Sequence, residues 1–248
     1  MAVFITGDTH GDFTRFKKDI FYEQTELTKD DYVIICGDFG GLWDDSPKER
    51  WWLDWLEEKP FTTLFVTGNH ENYDLLARYP VSQWHGGQVQ FIRPSILHLM
   101  RGQVYDICGK RFFTMGGASS HDIADGILEP DDSRFRQKFK RLNKQGALFR
   151  VNRRSWWAEE LPSEAEYAAA RDTLDNVGWE VDYIITHCCP TSVQDVLSGG
   201  MYRHDALTDF LEEIRQRCKF QYWFFGHYHD DRAIDRRFIL LYEQIISL

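Results

Sequence analysis

Aspartate, asparagine and histidine residues directly follow short apolar runs at five places in this sequence. The runs are rich in β-branched and aromatic residues, which is typical of buried strands. In an α/β sheet, ligands bind in the loops beyond the carboxyl ends of the strands, so the five loops are expected to converge on one place. Packing alone would not put polar side chains there. In chain order the motifs are Asp8-Thr9-His10, Gly37-Asp38, Gly68-Asn69-His70-Glu71, Thr186-His187 and Gly226-His227-Tyr228-His229.

The same runs predict a layered α/β domain. Strands that alternate with helices over about the first 80 residues favour βαβ units, and the closely spaced strands between positions 89 and 115 favour hairpins. Pro47 suits the first turn of a helix, and Ser163 and Glu166 have the spacing of a capping box. Strands are predicted at 3–6, 32–36, 63–67, 104–107, 111–115, 182–186, 222–225 and 238–242, and helices at 47–58, 163–176 and 205–218.

Length and composition indicate a single domain spanning residues 1–248. With 43% hydrophobic residues the chain can form a core, which excludes disorder as its main state. No apolar run approaches the roughly 20 residues that a bilayer-spanning helix needs. The five cysteines are odd in number and two are adjacent, which argues against a disulfide framework. We therefore expect a soluble, cytoplasmic protein without a membrane segment, and its oligomeric state stays open.

A basic stretch lies at 134–154 within a chain that is acidic overall. It holds nine lysine and arginine residues and no acid, whereas the net charge of the whole chain is −10. Strand periodicity stops around it, which predicts an insertion at about 119–157. Two interpretations are open: a lid whose cations meet a phosphate or polyanion, and a solvated amphipathic helix with one basic face. Arg153 and Arg154 are the candidate substrate contacts, because they adjoin Trp156 and Trp157.

The side chains of the five motifs form an oxygen and nitrogen ligand set. Such a set suits Mn²⁺, Fe or Zn²⁺, and the absence of cysteine from the motifs disfavours a thiolate zinc site. The number of ligands predicts two cations. Two cations about 3.5 to 4 Å apart need an anion between them, and Asp38, which stands alone after its strand, is the candidate.

The ordered motifs resemble the calcineurin-like metallophosphoesterase superfamily over residues 8–229. Small bacterial and phage phosphoesterases of this superfamily also carry a Gly-Gly-Ala segment followed by Ser-Trp-Trp. Here these segments are Gly116-Gly117-Ala118 and Ser155-Trp156-Trp157. The resemblance implies a four-layer αββα fold, in which a two-sheet mixed β sandwich is flanked by helices.

The resemblance also implies how the ligands are divided between the two cations. Asp38 is expected to be shared by both. His70 is expected to lie beside the cations as the catalytic residue, and Asn69 and His70 are expected to contact the substrate. The implied ligands are Asp8, His10, Asp38 and His229 for the first cation, and Asp38, Asn69, His187 and His227 for the second.

The second motif differs from that of the protein serine/threonine phosphatases in the superfamily. Those enzymes extend the motif with an Asp that pairs with the catalytic His and an Arg that binds phosphate, whereas Gly41 and Leu42 stand at these positions here. The difference weakens an assignment to the protein phosphatases. It also leaves the carboxylate partner of His70 open, with Asp44 and Asp45 the nearest acids in sequence.

The expected activity is hydrolysis of a phosphodiester or phosphomonoester by a hydroxide that bridges two divalent cations. Mn²⁺ is favoured, with Fe and Zn²⁺ as alternatives, and the expected substrate is a small phosphate ester such as a nucleotide. One alternative is a nuclease that grips nucleic acid with the basic stretch 134–154, although the acidic net charge does not favour nucleic acid. Another is a catalytically silent metal-bound scaffold. Such a scaffold would tolerate the loss of a ligand, whereas every expected ligand is present in this sequence, which does not favour this alternative.

Overall fold

Two β-sheets form the centre of the computed structural model, which describes all 248 residues. One sheet has seven strands and the other has six, and a third sheet has two. The strands are β1 (Val3–Thr6), β2 (Tyr32–Ile35), β3 (Thr62–Phe65), β4 (Val81–Trp84), β5 (Gly87–Arg93), β6 (Ile96–Leu99), β7 (Gln103–Ile107), β8 (Lys110–Met115), β9 (Ile127–Leu128), β10 (Arg150–Val151), β11 (Tyr183–Thr186), β12 (Tyr222–Phe225), β13 (Arg232–Ile234), β14 (Phe238–Leu240) and β15 (Ile245–Ser247).

Six α-helices accompany the sheets, and side-chain caps fix where several of them begin. Ser46 accepts a hydrogen bond from the backbone N–H of Glu49, and Ser163 and Glu166 form the predicted capping box. None of the helices is both long enough and apolar enough to cross a membrane. The helices are α1 (Pro47–Glu57), α2 (Tyr73–Leu76), α3 (Phe135–Gln145), α4 (Glu164–Asn176), α5 (Thr191–Ser198) and α6 (Ala206–Arg217), with short 3₁₀ helices at Thr14–Phe16, Tyr22–Glu26 and Ala158–Glu160.

Both large sheets are mixed. The first has the order β15-β1-β2-β3-β6-β5-β4; β1, β2, β3 and β6 pair in parallel, and the others join by antiparallel pairing. The second has the order β13-β14-β12-β11-β8-β7, with parallel pairing from β14 to β8. The carboxyl ends of β1, β2 and β3 therefore share one edge, as do those of β11 and β12.

Apolar side chains on both faces of each sheet build the cores. Because successive residues of a strand point to opposite faces, Val33 packs outward with residues of α1, whereas Ile34 packs between the sheets. Helices α4 and α6 cover the outer face of the second sheet, where Trp223 and Leu211 are fully buried. The structure confirms the expected two-sheet mixed sandwich flanked by helices.

All eight predicted strands and all three predicted helices occur, with ends within two residues of the predicted ones. The sequence patterns did not reveal α2, α5, β4, β9, β10, β13 and β15. Apart from α5, which has eight residues, these elements have only two to four residues, which is too short to show a helical or alternating period.

The basic stretch at 134–154 contains α3 and β10. Leu142 of α3 packs with Leu128 and Val151 in a small core of its own, while most lysines and arginines of the helix are exposed. The solvated amphipathic helix, one of the two interpretations of this stretch, is therefore present. That residues 119–157 are an insertion stays a prediction.

His98 of β6 is a buried histidine whose protonation opposes folding. Its Nδ1 lies 2.8 Å from Oε1 of Gln90, its Nε2 has no hydrogen-bond partner, and its ring stacks on Phe65. Burial lowers the pKa of His98 to about 3. The unfolded chain, with a histidine pKa of 6.5, therefore binds a proton at pH values where the folded protein does not.

We expect the free energy of unfolding to fall less on acidification in the His98→Gln variant than in the wild-type protein. The stability that neutral His98 confers is complete above pH 6.5 and is lost as the pH falls towards 3. Between pH 7 and pH 5 the two proteins should differ by about 2 kcal/mol in this loss. Urea unfolding followed by circular dichroism measures it. His85→Gln, at an exposed histidine, is the control. The same pH dependence in all three proteins would contradict the prediction.

Candidate metal centre

The five motifs meet where the two sheets adjoin. Their residues follow the carboxyl ends of β1, β2, β3, β11 and β12. Backbone hydrogen bonds link the loops: the N–H of His10 donates to the carbonyl of Asp38, and the N–H of Gly226 donates to the carbonyl of His187. The structure therefore brings the predicted ligands of both sheets into one cluster.

Two buried carboxylates form the centre of this cluster. The side chains of Asp8 and Asp38 are almost fully buried. The backbone N–H of His227 donates to both oxygens of Asp8 at 3.0 and 3.1 Å, and the backbone N–H of His70 donates to Oδ1 of Asp38 at 2.7 Å. Burial raises the pKa of Asp38, but the neighbouring imidazoles, His187 foremost, outweigh this and hold the pKa below its ordinary value. Asp38 is therefore an anion.

Asp8, His10 and His229 form the first group of candidate ligands, with ligand atoms within 4.8 Å of one another. Nε2 of His229 lies 3.3 Å from Oδ2 of Asp8 and 3.0 Å from Nε2 of His10. Nδ1 of His10 lies 3.8 Å from Oδ2 of Asp38. Imidazole nitrogens and carboxylate oxygens at these separations suit a divalent cation.

Asp8, Asp38 and His187 form the second group of candidate ligands, and His187 also lies beside Asn69. Its Nε2 lies 3.4 Å from Oδ1 of Asp38 and 3.2 Å from Oδ1 of Asn69. Its Nδ1 lies 2.8 Å from the backbone carbonyl of Cys36. A hydrogen bond of this kind places a proton on Nδ1 and directs Nε2 towards a metal. The ring of His227 is 5.0 Å from that of His187, measured between centroids.

The charges at the centre fit divalent cations. Burial lowers the pKa of His187, but Asp38 and Asp8 outweigh this and raise it to about 9, which shows how strongly the two carboxylates attract positive charge. A metal ion that binds Nε2 of His187 would displace this proton. Burial holds the pKa of His227 well below its ordinary value, which leaves the neutral imidazole that metals require. No lysine or arginine pairs with either carboxylate. A metal ion can therefore supply the positive charge.

Two glycines in the motifs leave the room that ligands of other motifs need. A Cβ atom at Gly37 would lie 2.2 Å from Nδ1 of His187, and one at Gly226 would lie 2.0 Å from Oδ1 of Asp8. Gly37 also has a φ of +97°, which side chains of L residues rarely allow. Each of these glycines is therefore required for a ligand on a different strand to approach.

Four of the seven predicted ligands have left-handed backbone conformations. The φ angles are 46° at His10, 43° at Asp38, 71° at His227 and 48° at His229. Such conformations cost about 1–3 kcal/mol each in residues other than glycine and persist only where the surroundings hold them. Strain of this kind is typical of ligand-binding sites.

His70 lies beside the candidate ligand groups without being part of them. The centroid of its ring is 5.5 Å from that of His10. Burial lowers the pKa of His70; Asp38 and Asp122 raise it, whereas Arg150 lowers it further. Two residues of the segment 119–157 therefore lie close enough to influence this imidazole.

The two acids suggested by sequence proximity are not hydrogen-bonded to His70. Asp44 lines the same cleft, but its carboxylate accepts a hydrogen bond from the backbone N–H of Ser46. Asp45 pairs with Arg50. Both acids belong to the turn that leads into α1, which fixes their side chains there. The sequence left the partner of His70 open and favoured a solvated turn for Asp44 and Asp45, and both acids are exposed in the structure.

A second layer of residues orients Asn69. The amide Nδ2 of Asn69 donates to Oγ of Ser120 at 3.4 Å, and Ser120 donates from Oγ and from its backbone N–H to the buried carboxylate of Glu160 at 2.6 and 2.9 Å. The sequence did not assign either residue. The sequence feature that could have pointed to them is the pair of segments Gly-Gly-Ala and Ser-Trp-Trp, because Ser120 and Glu160 each lie just beyond one of these segments.

Arg153 and Arg154 are exposed. Arg153 pairs with Asp74 at 2.6 Å and with Glu159 at 2.9 Å. The guanidinium of Arg154 lies 5.6 Å from the centroid of the Phe135 ring. Their assignment as substrate contacts stays a prediction.

A cleft of about 380 Å³ opens beside His10 and His70. The half-buried rings of Trp43 and Trp52 line it, and Lys48 adds positive charge. The cleft can therefore take a group with an apolar face next to the cluster of candidate ligands.

Comparison with known proteins places these features in a family. The sequence matches the family of calcineurin-like phosphoesterases over residues 1–231. Similar curated proteins include lariat debranching enzyme A of Xenopus laevis and the lariat debranching enzyme of Danio rerio, each 26% identical over 145 residues, which is 52% of this chain. The lariat debranching enzyme of Arabidopsis thaliana is 29% identical over 107 residues, which is 37% of this chain.

The three matches cover 26%, 24% and 26% of those proteins, so the chain spans about a quarter of the length of the curated relatives it matches. The family match, in contrast, extends over nearly the whole chain and includes all five motifs. The chain therefore belongs to the calcineurin-like phosphoesterase family, whose enzymes are metal-dependent hydrolases of phosphoester bonds.

Proposed function

We propose that this protein hydrolyses phosphodiesters with two divalent cations bound where the sheets adjoin. The observation that carries the proposal is the pair of buried carboxylates, Asp8 and Asp38, surrounded by imidazole nitrogens at the carboxyl ends of parallel strands. Membership of the family supports phosphoester hydrolysis. The relatives named as lariat debranching enzymes support an RNA substrate, and the ester bonds that join nucleotides in RNA are diesters.

The proposed ligands are those implied by the resemblance. Asp38 is the shared ligand, because its Oδ2 lies near His10 and its Oδ1 lies near His187. Mn²⁺ is the proposed metal, with Fe and Zn²⁺ as alternatives that the same donors accept. The proposed ligands are Asp8, His10, Asp38 and His229 for one cation and Asp38, Asn69, His187 and His227 for the other.

Residues beside the proposed cations determine where the ester group of the substrate lies. Cations bound at this centre lower the pKa of a water molecule and neutralise the phosphoryl oxygens. His70 lines the cleft beside His10, so a leaving group in the cleft meets the imidazole of His70, which can protonate the departing oxygen. Asn69, held by Ser120, is proposed to contact the phosphate at the same place.

The exposed cations of the basic stretch favour a second candidate, a nuclease that binds a longer strand. Apart from Lys138, which pairs with Asp132, the lysines and arginines on and next to α3 form no ion pairs, although the chain as a whole has a net charge of −10. An unpaired strip of positive charge attracts a polyanion. The residues of this strip are Arg134, Arg136, Lys140, Arg141 and Lys144.

We expect Mn²⁺ to stabilise the fold through Asp38. A ligand that binds only the folded state adds about 2.7 kcal/mol at 100 times its dissociation constant, which raises the midpoint of thermal unfolding. The Asp38→Asn variant should lose most of this increment, because it lacks the shared anionic ligand. Calorimetry of chelator-treated protein with and without added Mn²⁺ measures the increment. Asp45→Asn, at an exposed acid paired with Arg50, is the control. An equal increment in Asp38→Asn would refute the shared-ligand assignment.

We expect the wild-type protein to cleave bis(p-nitrophenyl) phosphate faster than p-nitrophenyl phosphate. His70→Ala should lower kcat about 10²- to 10⁴-fold, because it removes the group that protonates the leaving oxygen. Release of nitrophenolate measures both rates, and the thermal response to Mn²⁺ checks that the variant still binds metal. His204→Ala, at an exposed histidine paired with Asp195, should be as active as the wild type. A faster monoester reaction would move the proposed substrate to phosphomonoesters, and an unchanged kcat in His70→Ala would exclude it as the catalytic residue.

If the nuclease candidate is correct, the Lys140→Glu/Arg141→Glu double variant should bind a single-stranded RNA oligonucleotide more weakly than the wild type. Each lost phosphate contact to a single strand reduces the dependence of log binding constant on log salt concentration by about 0.7, so a reduction of about 1.4 is expected. Fluorescence anisotropy at several salt concentrations measures it. Lys17→Glu/Lys18→Glu changes two exposed lysines elsewhere and is the matched control. Weak, salt-independent binding by the wild type would rule this candidate out.

A further inference from the structure

The loop that follows β8 lies along the candidate metal centre. Ser120 bonds to the amide of Asn69, as described above. The ring of the next residue, His121, lies 5.7 Å from that of His227, measured between centroids. Asp122 follows directly. Consecutive residues of this loop therefore contact two of the proposed ligands, which places Asp122 at the rim of the site.

Asp122 brings an arginine to the same place. Oδ2 of Asp122 accepts a hydrogen bond from the guanidinium of Arg150, and Oδ1 is buried without a hydrogen-bond partner. Asp122 directly follows His121, whose ring lies beside that of His227. The hydrogen bond from Arg150 to Asp122 therefore holds the guanidinium at the rim of the centre.

Arg150 differs from the other cations of the basic stretch. Its side chain is 25% exposed, and its guanidinium donates only to Asp122, so most of its five N–H donors are free. Arg153, in contrast, pairs with both Asp74 and Glu159 and is 51% exposed. Arg150 is therefore the cation of the stretch that is both close to the centre and able to bind another group.

The backbone of Arg150 is fixed. It begins β10, where it pairs in register with Ile127 of β9. The next residue, Val151, is buried with Leu128 and Leu142. A guanidinium that projects from a packed strand and is held by a carboxylate has little freedom to lose when it binds a ligand.

We propose that Arg150 binds the phosphate group of the substrate through its free N–H donors, and that Asp122 positions the guanidinium for this contact. The planar guanidinium presents parallel N–H donors that match two oxygens of one phosphate. This inference rests on the phosphoester hydrolysis proposed above and identifies the residue that recognises the phosphate. It also gives the segment 119–157 a role at the centre that does not depend on the exposed cations of α3.

Binding of inorganic phosphate tests the proposal without any turnover. Isothermal titration calorimetry of the Mn²⁺-loaded protein measures the dissociation constant, which should rise about tenfold to hundredfold in Arg150→Ala. Arg150→Lys should lie between the two, because lysine keeps the charge but loses the fork of donors. Arg78→Ala, at an exposed arginine without an ion pair, is the matched control and should bind phosphate as the wild type does.

A double-mutant cycle tests the positioning role of Asp122. Asp122→Ala should weaken phosphate binding nearly as much as Arg150→Ala, and the double variant should be little worse than either, because both changes remove the same contact. A residue that is only structural would lower the midpoint of thermal unfolding and leave phosphate binding unchanged. The thermal response to Mn²⁺ should be retained in all three variants.

The outcomes separate this proposal from the proposed function. Wild-type protein that binds phosphate through Arg150 but cleaves no ester would refute the hydrolytic function and support the phosphate contact. Active protein in which Arg150→Ala binds phosphate as tightly as the wild type would overturn the contact alone. A wild type that binds no phosphate, or a loss of binding in Arg154→Ala in place of Arg150→Ala, would also overturn it.

Discussion

The burial of two carboxylates constrains the structure around them. Asp8 and Asp38 lie where the two sheets adjoin, away from water, and no lysine or arginine forms an ion pair with either side chain. Their charge is met by backbone N–H groups of His227 and His70 and by imidazole rings from both sheets. These contacts connect the ends of five strands from both sheets. The contacts that bring the candidate ligands together therefore also hold the two sheets in their relative positions.

The strand ends and their polar residues were predictable because both signals are local. A short apolar run followed by a carboxylate or imidazole needs only neighbours in sequence to be recognised, and the two sheets place those runs side by side. The contacts of Ser120 with Glu160 and of Asp122 with Arg150 were not predictable. They join residues far apart in a segment without periodicity, and they depend on how its loop, helix and short strands pack.

The sequence left the carboxylate partner of His70 open, and neither of the two acids that follow the second motif is hydrogen-bonded to it. Asp44 and Asp45 are close to Asp38 in the chain, but the turn before α1 uses both carboxylates locally. The loop after β8, which contains Asp122, lies beside His227 of the centre. The sequence singled out Arg153 and Arg154 because they adjoin the tryptophan pair; it did not single out Arg150, which begins a packed strand and donates to Asp122. Proximity in sequence does not predict proximity in space where a strand or a turn changes the direction of the backbone.

The pairing of β15 with β1 has a consequence for synthesis of the protein on the ribosome. β1 carries the first motif, but one of its edges is covered only by Ile245–Ser247, which is synthesised after all the other strands. A nascent chain therefore presents an unpaired strand edge until β15 has been made, and such edges readily pair with strands of other molecules. Chaperones that shield this edge, or slow expression at low temperature, should raise the yield of correctly folded protein.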